Sequence, residues 1–113
     1  MTARLATRVR ATALIRRAES LGGTGMVLAR GDADAGGLLV ILTQRGEIAR
    51  LLEQGRDLEG RSEWRDAPPQ VTENTRFLSD YVTRRRSRDA DLWVLELDIA
   101  DTQRFAAEMA AAG

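Results

Sequence analysis

One stretch constrains the fold more than any other, and it is Leu38–Gln44, which reads LLVILTQ. Successive side chains of a strand point to opposite faces of its sheet, so Leu39 and Ile41 share one face while the apolar residues around them share the other. A strand that is apolar at both parities is covered on both faces. The sequence therefore predicts that this strand lies in the centre of a sheet.

The apolar spacing on either side of this strand, with glycine and proline as boundaries, predicts the order helix, four strands, helix, strand, helix. The predicted strands are Gly25–Arg30, Leu38–Gln44, Glu47–Glu53, Arg61–Asp66 and Asp91–Asp98, and the predicted helices are Ala3–Leu21, Thr75–Arg86 and a short helix after Asp101. Short connections favour an antiparallel meander of the first four strands, which the fifth strand joins. The predicted fold class is α+β, with a largely antiparallel five-stranded sheet and helices packed mainly on one face, in one domain over residues 1–113.

The second face of the central strand also needs a cover. We expect this cover to come from the C-terminal helix or from another copy of the chain, because an apolar sheet face is not left in water. A homo-oligomer, in the simplest case a homodimer, is therefore predicted, with an unidentified protein partner as the alternative.

The composition excludes most common enzyme mechanisms. The chain has no cysteine, no histidine and no lysine, and all 17 basic residues are arginine. Disulfides, thiolate nucleophiles, imidazole acid/base catalysis and Schiff-base chemistry all need residues that are missing. What remains is carboxylate chemistry and anion binding by arginine, which favours a non-enzymatic protein without a cofactor. The formal net charge of +0 provides no overall field that would attract nucleic acid or a membrane surface.

The sequence also predicts a cytoplasmic location. The longest apolar run, Leu38–Leu42, is far shorter than the roughly 20 residues that cross a bilayer. The N-terminal stretch has arginines among its apolar positions, whereas a secretory signal needs an uninterrupted apolar region. We therefore expect no contact with a membrane.

The acidic, glycine-rich stretch RGDADAGG begins at Arg30, and its aspartates Asp32 and Asp34 are weak metal candidates. If Asp32 is the first position of a calcium loop, the fifth and twelfth positions are Gly36 and Thr43, which provide no carboxylate where the ion needs one. Aspartate and glycine are also the residues that a turn prefers. The stretch is therefore interpreted as a loop between two strands.

Four arginines lie within Arg84–Arg88, at the end of the second predicted helix. We call this stretch the arginine run. Guanidinium groups bind phosphate and carboxylate in bidentate geometry, and cations are favoured at a helix C-terminus. The alternative is a solvated helix end neutralised by Asp89 and Asp91. The candidate anion or nucleic-acid ligands are Arg16, Arg17, Arg84, Arg85, Arg86 and Arg88. An aromatic content of 4% argues against nucleic-acid binding, which usually involves base stacking.

Two carboxylates, Glu96 and Asp98, point to the same face of the last predicted strand. Together with Glu53 and Asp91 they could form an acid/base pair or bind magnesium. The alternative is a salt bridge from this pair to Arg50 or Arg65 on a neighbouring strand, which is the interpretation we favour.

Three stretches together resemble a known family: ALIRRAESLGG at 13–23, RGDADAGGLLVIL at 30–42 and DADLWVLELD at 89–98. Their order and spacing are similar to those of a small proteobacterial family of uncharacterised proteins, domain of unknown function fourteen ninety-one. The resemblance implies a cytoplasmic single-domain protein that stands alone, and it transfers no activity, cofactor or catalytic residue.

Three functions are left open. The leading hypothesis is a non-enzymatic module that binds another protein or a small anionic ligand through arginines. The alternative is nucleic-acid or nucleotide binding through the arginine run. The third is a carboxylate-dependent metal hydrolase that uses Asp32, Asp34, Glu96 or Asp98.

Overall fold

Residues 5–56 and 58–112 are described by the computed structural model, and within them the predicted order of elements is confirmed. The helices are α1 (Thr7–Ser20), α2 (Thr75–Arg88) and α3 (Thr102–Ala112), and the strands are β1 (Thr24–Ala29), β2 (Leu38–Gln44), β3 (Glu47–Arg56), β4 (Ser62–Asp66) and β5 (Trp93–Asp98). A short 3₁₀ helix, Pro69–Thr72, precedes α2. The bounds of β2 agree with the prediction at both ends, because glycine precedes it and a tight turn follows.

The five strands form one sheet in the order β1-β5-β2-β3-β4. The meander is confined to β2, β3 and β4, whereas the sequence predicts that it also includes β1. β5 lies between β1 and β2, antiparallel to β1 and parallel to β2. A parallel pair needs a long crossover, which β3, β4 and α2 provide here. The reason for the insertion is burial, since β5 is almost as apolar as β2 and covers an edge that the more exposed β1 would cover less well.

Both faces of β2 are covered within the chain. On one face Val40 packs in a core with Ala11 of α1 and Phe105 of α3. On the other face Ile41 packs in a second core with Leu78 of α2, to which the 3₁₀ helix also contributes. Two of the three described helices therefore share one face, and α2 covers the face for which the sequence predicts the C-terminal helix or a second copy.

This arrangement removes the observation on which the expected homodimer rested. The homodimer itself stays a prediction. None of the described helices has the length and apolar character needed to cross a membrane.

The two helix starts expected from the sequence are capped by side chains. The Asn74 side chain accepts a hydrogen bond from the Phe77 amide at 2.9 Å, and the Asp101 carboxylate accepts one from the Arg104 amide at 3.0 Å. The start of α1 is held differently, by backbone carbonyls of the loop between β1 and β2.

Candidate anion-binding pocket

The acidic loop after β1 serves as the N-terminal cap of α1. The amides of Thr7 and Arg8 donate to the carbonyls of Asp34 and Ala33 at 3.2 and 3.0 Å. The Asp32 carboxylate accepts hydrogen bonds from two amides of its own loop, which lowers its pKa. Within the described residues no group of side chains is arranged to hold a metal ion. The loop therefore acts as a turn that also fixes α1.

Glycine is required in this loop because the chain passes close to the segment before β5. A Cβ atom added at Gly31 or Gly36 would collide with the carbonyl oxygen of Asp91. The indole Nε1 of Trp93 donates to the carbonyl of Asp32 at 2.7 Å, which ties the loop to β5. The loop, α1 and the start of β5 thus form one connected unit.

The arginine run does not form one site, because successive helix residues point about 100° apart. Arg84 and Arg88 are exposed, and neither guanidinium group has a hydrogen-bond or ion-pair partner among the described residues. The Nε atom of Arg85 donates to the Glu53 carboxylate at 3.2 Å. Arg86 donates to two backbone carbonyls, that of Arg30 at 3.1 Å and that of Ala90 at 3.2 Å. Half of the run is therefore engaged in holding the fold.

The carboxylate Glu53 connects β3 to α2. It accepts hydrogen bonds from Arg85 and from the Tyr81 hydroxyl. Burial, reinforced by the hydrogen bond to Glu53, raises the pKa of Tyr81 to about 12. Glu53 therefore has two structural partners and does not join an acid/base pair with the strand carboxylates.

The carboxylate Asp98 is also structural. It accepts hydrogen bonds from the Gly46 amide at 2.7 Å, the Thr43 hydroxyl at 2.9 Å and the Arg45 amide at 3.3 Å. These bonds, that from Gly46 first, lower the pKa of Asp98. Arg45 and Gly46 have φ values of 54° and 81°, the left-handed conformation that a two-residue hairpin turn demands. Asp98 thus holds the turn between β2 and β3.

The expected salt bridge from Glu96 or Asp98 to a neighbouring arginine is wrong. Arg50 pairs with Asp66 at 2.7 Å, and Arg65 pairs with Glu63 at 2.6 Å. Both arginines pair with a carboxylate on β4, and neither forms the expected salt bridge with Glu96 or Asp98.

Three other arginines converge on one cavity. The cavity has a volume of about 530 Å³ and lies between the first half of α1 and the strands β1 and β5. We call it the arginine pocket, and its lining is Arg8, Val9, Ala11, Thr12, Ala13, Arg16, Val27, Arg30 and Trp93. Arg8, Thr12 and Arg16 are spaced by four residues, which places them on one side of α1. The cavity is therefore bordered by charge along the helix and by apolar side chains below.

Arg30 follows directly after β1 and completes the pocket. Its guanidinium carbon lies 5.7 Å from the centroid of the Trp93 ring, within the range of a cation–π contact. Its backbone carbonyl is the one that Arg86 holds. Arg30 is thus held through its main chain by Arg86, and its guanidinium group lies over the ring of Trp93 in the lining of the cavity.

The charged side chains that line the pocket within the described residues are all positive. No carboxylate lines it within residues 5–56 and 58–112, and there the guanidinium groups of Arg8, Arg16 and Arg30 form no ion pair. Arg17, the neighbour of Arg16, turns away and pairs with Glu108 of α3 at 3.2 Å. Of the two predicted arginines on α1, the structure therefore places Arg16 in the pocket and Arg17 in an ion pair.

The walls of the pocket can also accommodate an apolar group. Val9 and Val27 expose 41% and 36% of their surface, while Trp93 is buried. The hydroxyl of Thr12 donates to the carbonyl of Arg8 at 2.9 Å. A cavity of this kind, lined by arginines and by apolar side chains, is suited to binding an anion that carries an apolar body.

Arg8 and Arg30 were not predicted as ligands from the sequence. One signal was available, the four-residue spacing of Arg8, Thr12 and Arg16, which predicts a polar stripe on α1. Nothing in the sequence connects that stripe to Arg30 or Trp93, because the contact depends on β5 lying next to β1.

Comparisons with known proteins agree on one family. A family model described as "Protein of unknown function (DUF1491)" matches residues 5–107. No curated protein matches the chain.

Solved structures show the same similarity. A crystal structure of a DUF1491 family protein from Caulobacter crescentus CB15 is 34% identical, with a TM-score of 0.80, and the match covers 90% of this chain and 94% of that one. An NMR structure of a DUF1491 family protein from the same organism is 33% identical, with a TM-score of 0.80 and coverage of 92% and 94%. The solution structure of protein Atu0922 from A. tumefaciens is 26% identical, with a TM-score of 0.73 and coverage of 91% and 92%.

Proposed function

The chain belongs to the DUF1491 family of proteins of unknown function, and we propose that it is a binding module for a small organic anion. One observation carries this proposal: three guanidinium groups border a single cavity in which no described carboxylate neutralises them. Arginines that only keep a surface hydrated do not need to line the same cavity. Arginines that stabilise the fold are paired with carboxylates, as Arg17 and Arg50 are.

The ligand class follows from the lining. A carboxylate, phosphate or sulfonate would accept charge-assisted hydrogen bonds from Arg8, Arg16 and Arg30, and these are stronger than hydrogen bonds between neutral groups. An apolar body would cover Val9 and Val27, which water otherwise reaches. The volume of about 530 Å³ lies within the range of small-molecule pockets.

A polymeric nucleic acid is supported less well. The arginine run is divided between exposed and structural side chains, and Trp93 offers 3% of its surface, too little for a base to stack on. A cavity of about 530 Å³ favours a compact ligand over a strand that tracks along a groove.

The test uses 2-naphthyl phosphate as the probe, with 2-naphthalenemethanol as a neutral analogue and inorganic phosphate as a bare anion. Binding is followed by calorimetry and by amide chemical shifts of the ¹⁵N-labelled protein. We expect 2-naphthyl phosphate to bind most tightly and to shift amides of α1 and of the end of β1. Each arginine removed should weaken binding by roughly tenfold to 150-fold, since a charge-assisted hydrogen bond contributes roughly 1.5–3 kcal/mol.

The matched controls separate local charge from total charge. The variant R8Q/R16Q/R30Q removes three charges at the pocket, and R76Q/R84Q/R88Q removes three exposed charges on α2. We expect the first variant to lose binding and the second to keep it. Equal losses in both variants, or equal binding of the neutral analogue, would show that the pocket is not the site.

A further inference from the structure

A second groove lies on the opposite face of the sheet, between α2 and the strands β1, β2 and β5. Its volume is about 350 Å³. Its walls are largely apolar, and its lining is Leu28, Ala29, Ile41, Gly46, Ile48, Thr75, Leu78, Ser79, Val82, Thr83, Val94 and Glu96. Leu28 at its rim is 49% exposed although β1 belongs to the sheet. This groove, which we call the Glu96 groove, shares no lining residue with the arginine pocket.

Glu96 is the one carboxylate in the described lining of the groove, and it is partly buried. Its neighbours across the sheet are apolar, Met26 on β1 and Ile41 on β2. Within the described part of the chain its carboxylate has neither an ion pair nor a hydrogen-bond partner. A carboxylate held among apolar side chains is costly unless a cation or a donor compensates it. A cationic group bound in this groove would therefore stabilise the carboxylate of Glu96.

α2 contributes a row of free hydroxyls to the same groove. Thr75, Ser79 and Thr83 are spaced by four residues, and in the described structure none of their hydroxyls has a hydrogen-bond partner. Ser87, further along the same helix, instead donates to the carbonyl of Arg84 at 2.8 Å, the usual arrangement for such a side chain. The hydroxyls facing the groove are thus available to a ligand, each as an acceptor for an N–H group.

We propose that the Glu96 groove is a second binding site, which takes a small organic cation with an apolar body. Its ammonium or guanidinium group pairs with Glu96, and its remaining N–H groups donate to the hydroxyls of α2. Its body covers Leu28 and the apolar residues of the sheet. The two sites lie on opposite faces and have opposite charge, so the module has one position for an anion and one for a cation.

The probe for this site is phenethylammonium, with 2-phenylethanol as a neutral analogue of the same shape. Amide chemical shifts are recorded for the wild type, for Glu96→Gln, and for Glu19→Gln, which removes one exposed carboxylate on α1. We expect the shifts to fall on α2 and β5, and we expect Glu96→Gln to weaken phenethylammonium binding about tenfold while Glu19→Gln leaves it unchanged. The neutral analogue should bind more weakly to the wild type and equally to both variants.

A second variant tests the groove independently of its charge. Ser79→Phe places a ring on the groove side of α2, and we expect it to abolish binding of both the amine and the alcohol while the spectrum stays that of a folded protein. Unchanged amine binding in Glu96→Gln, equally tight binding of the alcohol, or shifts that map away from α2 and β5 would each overturn the proposal. The variant R8Q/R16Q/R30Q should retain phenethylammonium binding, so this site and the arginine pocket can fail separately.

Discussion

Two groups of arginines in this protein make a useful comparison. The arginine run concentrates four arginines within Arg84–Arg88, whereas the arginine pocket draws Arg8 and Arg16 from α1 and Arg30 from the end of β1. The run is denser in sequence, yet its side chains diverge around the helix. The pocket is dispersed in sequence, yet its side chains border one cavity. Convergence in space, and not density along the chain, distinguishes a binding site from a charged surface.

The two groups also differ in what their charges do. Arg85 and Arg86 of the run already bind Glu53 and two backbone carbonyls. The pocket arginines have no carboxylate partner among the described residues. A guanidinium that is already bonded stabilises the fold, and one that is not remains available to a ligand.

The largest effect is expected from removing the Arg86 side chain, which tests whether the bonded arginines stabilise the fold more than the exposed ones. Arg86→Ala should lower the free energy of unfolding by about 1.5–3 kcal/mol, because two backbone carbonyls lose a charged donor. Arg88→Ala, an exposed neighbour in the same run, should change it by less than about 0.5 kcal/mol. Urea unfolding followed by circular dichroism measures both, and equal effects would mean that the run is uniform after all.

A single substitution tests whether Arg30 binds a ligand or stabilises the fold. Arg30→Gln should weaken 2-naphthyl phosphate binding about tenfold, which corresponds to about 1.4 kcal/mol. Its stability should fall by no more than about 0.5–1 kcal/mol, the value of the lost cation–π contact with Trp93. Arg84→Gln serves as the control and should change neither property. An Arg30 variant that loses stability but keeps its affinity would identify Arg30 as structural.

The same distinction divides the carboxylates of β5 into a bonded one, Asp98, and a free one, Glu96. Asp98→Asn should cost about 1 kcal/mol, because Asn keeps one acceptor oxygen but loses the charge that three donors face. Glu96→Gln should not lower stability and should raise it slightly, because no described cation or donor compensates the charge of Glu96 among its apolar neighbours. Because folding lowers the pKa of Asp98, its contribution is present above the ordinary value of 3.8 and is lost as the pH falls below it. Urea unfolding at pH 7 and pH 3 should therefore show the difference between wild type and Asp98→Asn shrinking in acid.

The smallest expected effect is a change in the pKa of Tyr81, whose hydroxyl lies near Glu53 and Arg85. It is measured by the ultraviolet absorbance of the tyrosine. Tyr81 is the only tyrosine in the sequence, so absorbance at high pH reports its ionisation alone. We expect a midpoint near a pKa of about 12, compared with 10.0 for a free tyrosine. Glu53→Gln should lower this pKa, and Arg85→Gln should raise it slightly, because the two charges act in opposite directions.

The sign for stability follows from the same pKa. A raised pKa in the folded state means that the contribution of Tyr81 is complete below pH 10 and disappears as the pH rises toward 12. Arg88→Gln, the exposed neighbour, should leave the titration unchanged. A Tyr81 midpoint at the value of a free tyrosine would contradict the burial of its hydroxyl against Glu53.

Much of the fold could be predicted because it depends on local signals. β2 is delimited by glycine before it and a tight turn after it, and the cap of α2 depends on Asn74 alone. The position of β5 could not be predicted in this way. Short loops favour pairing between neighbouring strands, whereas burial of an apolar strand between β1 and β2 is a property of the whole sheet.

The candidate site was predicted in part. Arg16 was named among the candidate anion ligands, and the structure places it in the pocket. Arg17 was named with it, but one helical step turns that side chain toward Glu108. Arg8 and Arg30 were not named as ligands, and they line the same cavity only because the end of β1 lies next to α1 in the fold.

Residue order alone specifies the elements, the apolar character of β2 on both faces, and the absence of cysteine, histidine and lysine, because these are properties of residues and of their nearest neighbours along the chain. The packing of the folded chain specifies which charges are bonded and which are free. That outcome depends on distances between residues far apart in sequence, and those distances exist once β5 lies between β1 and β2 and α1 and α2 have packed on opposite faces of the sheet.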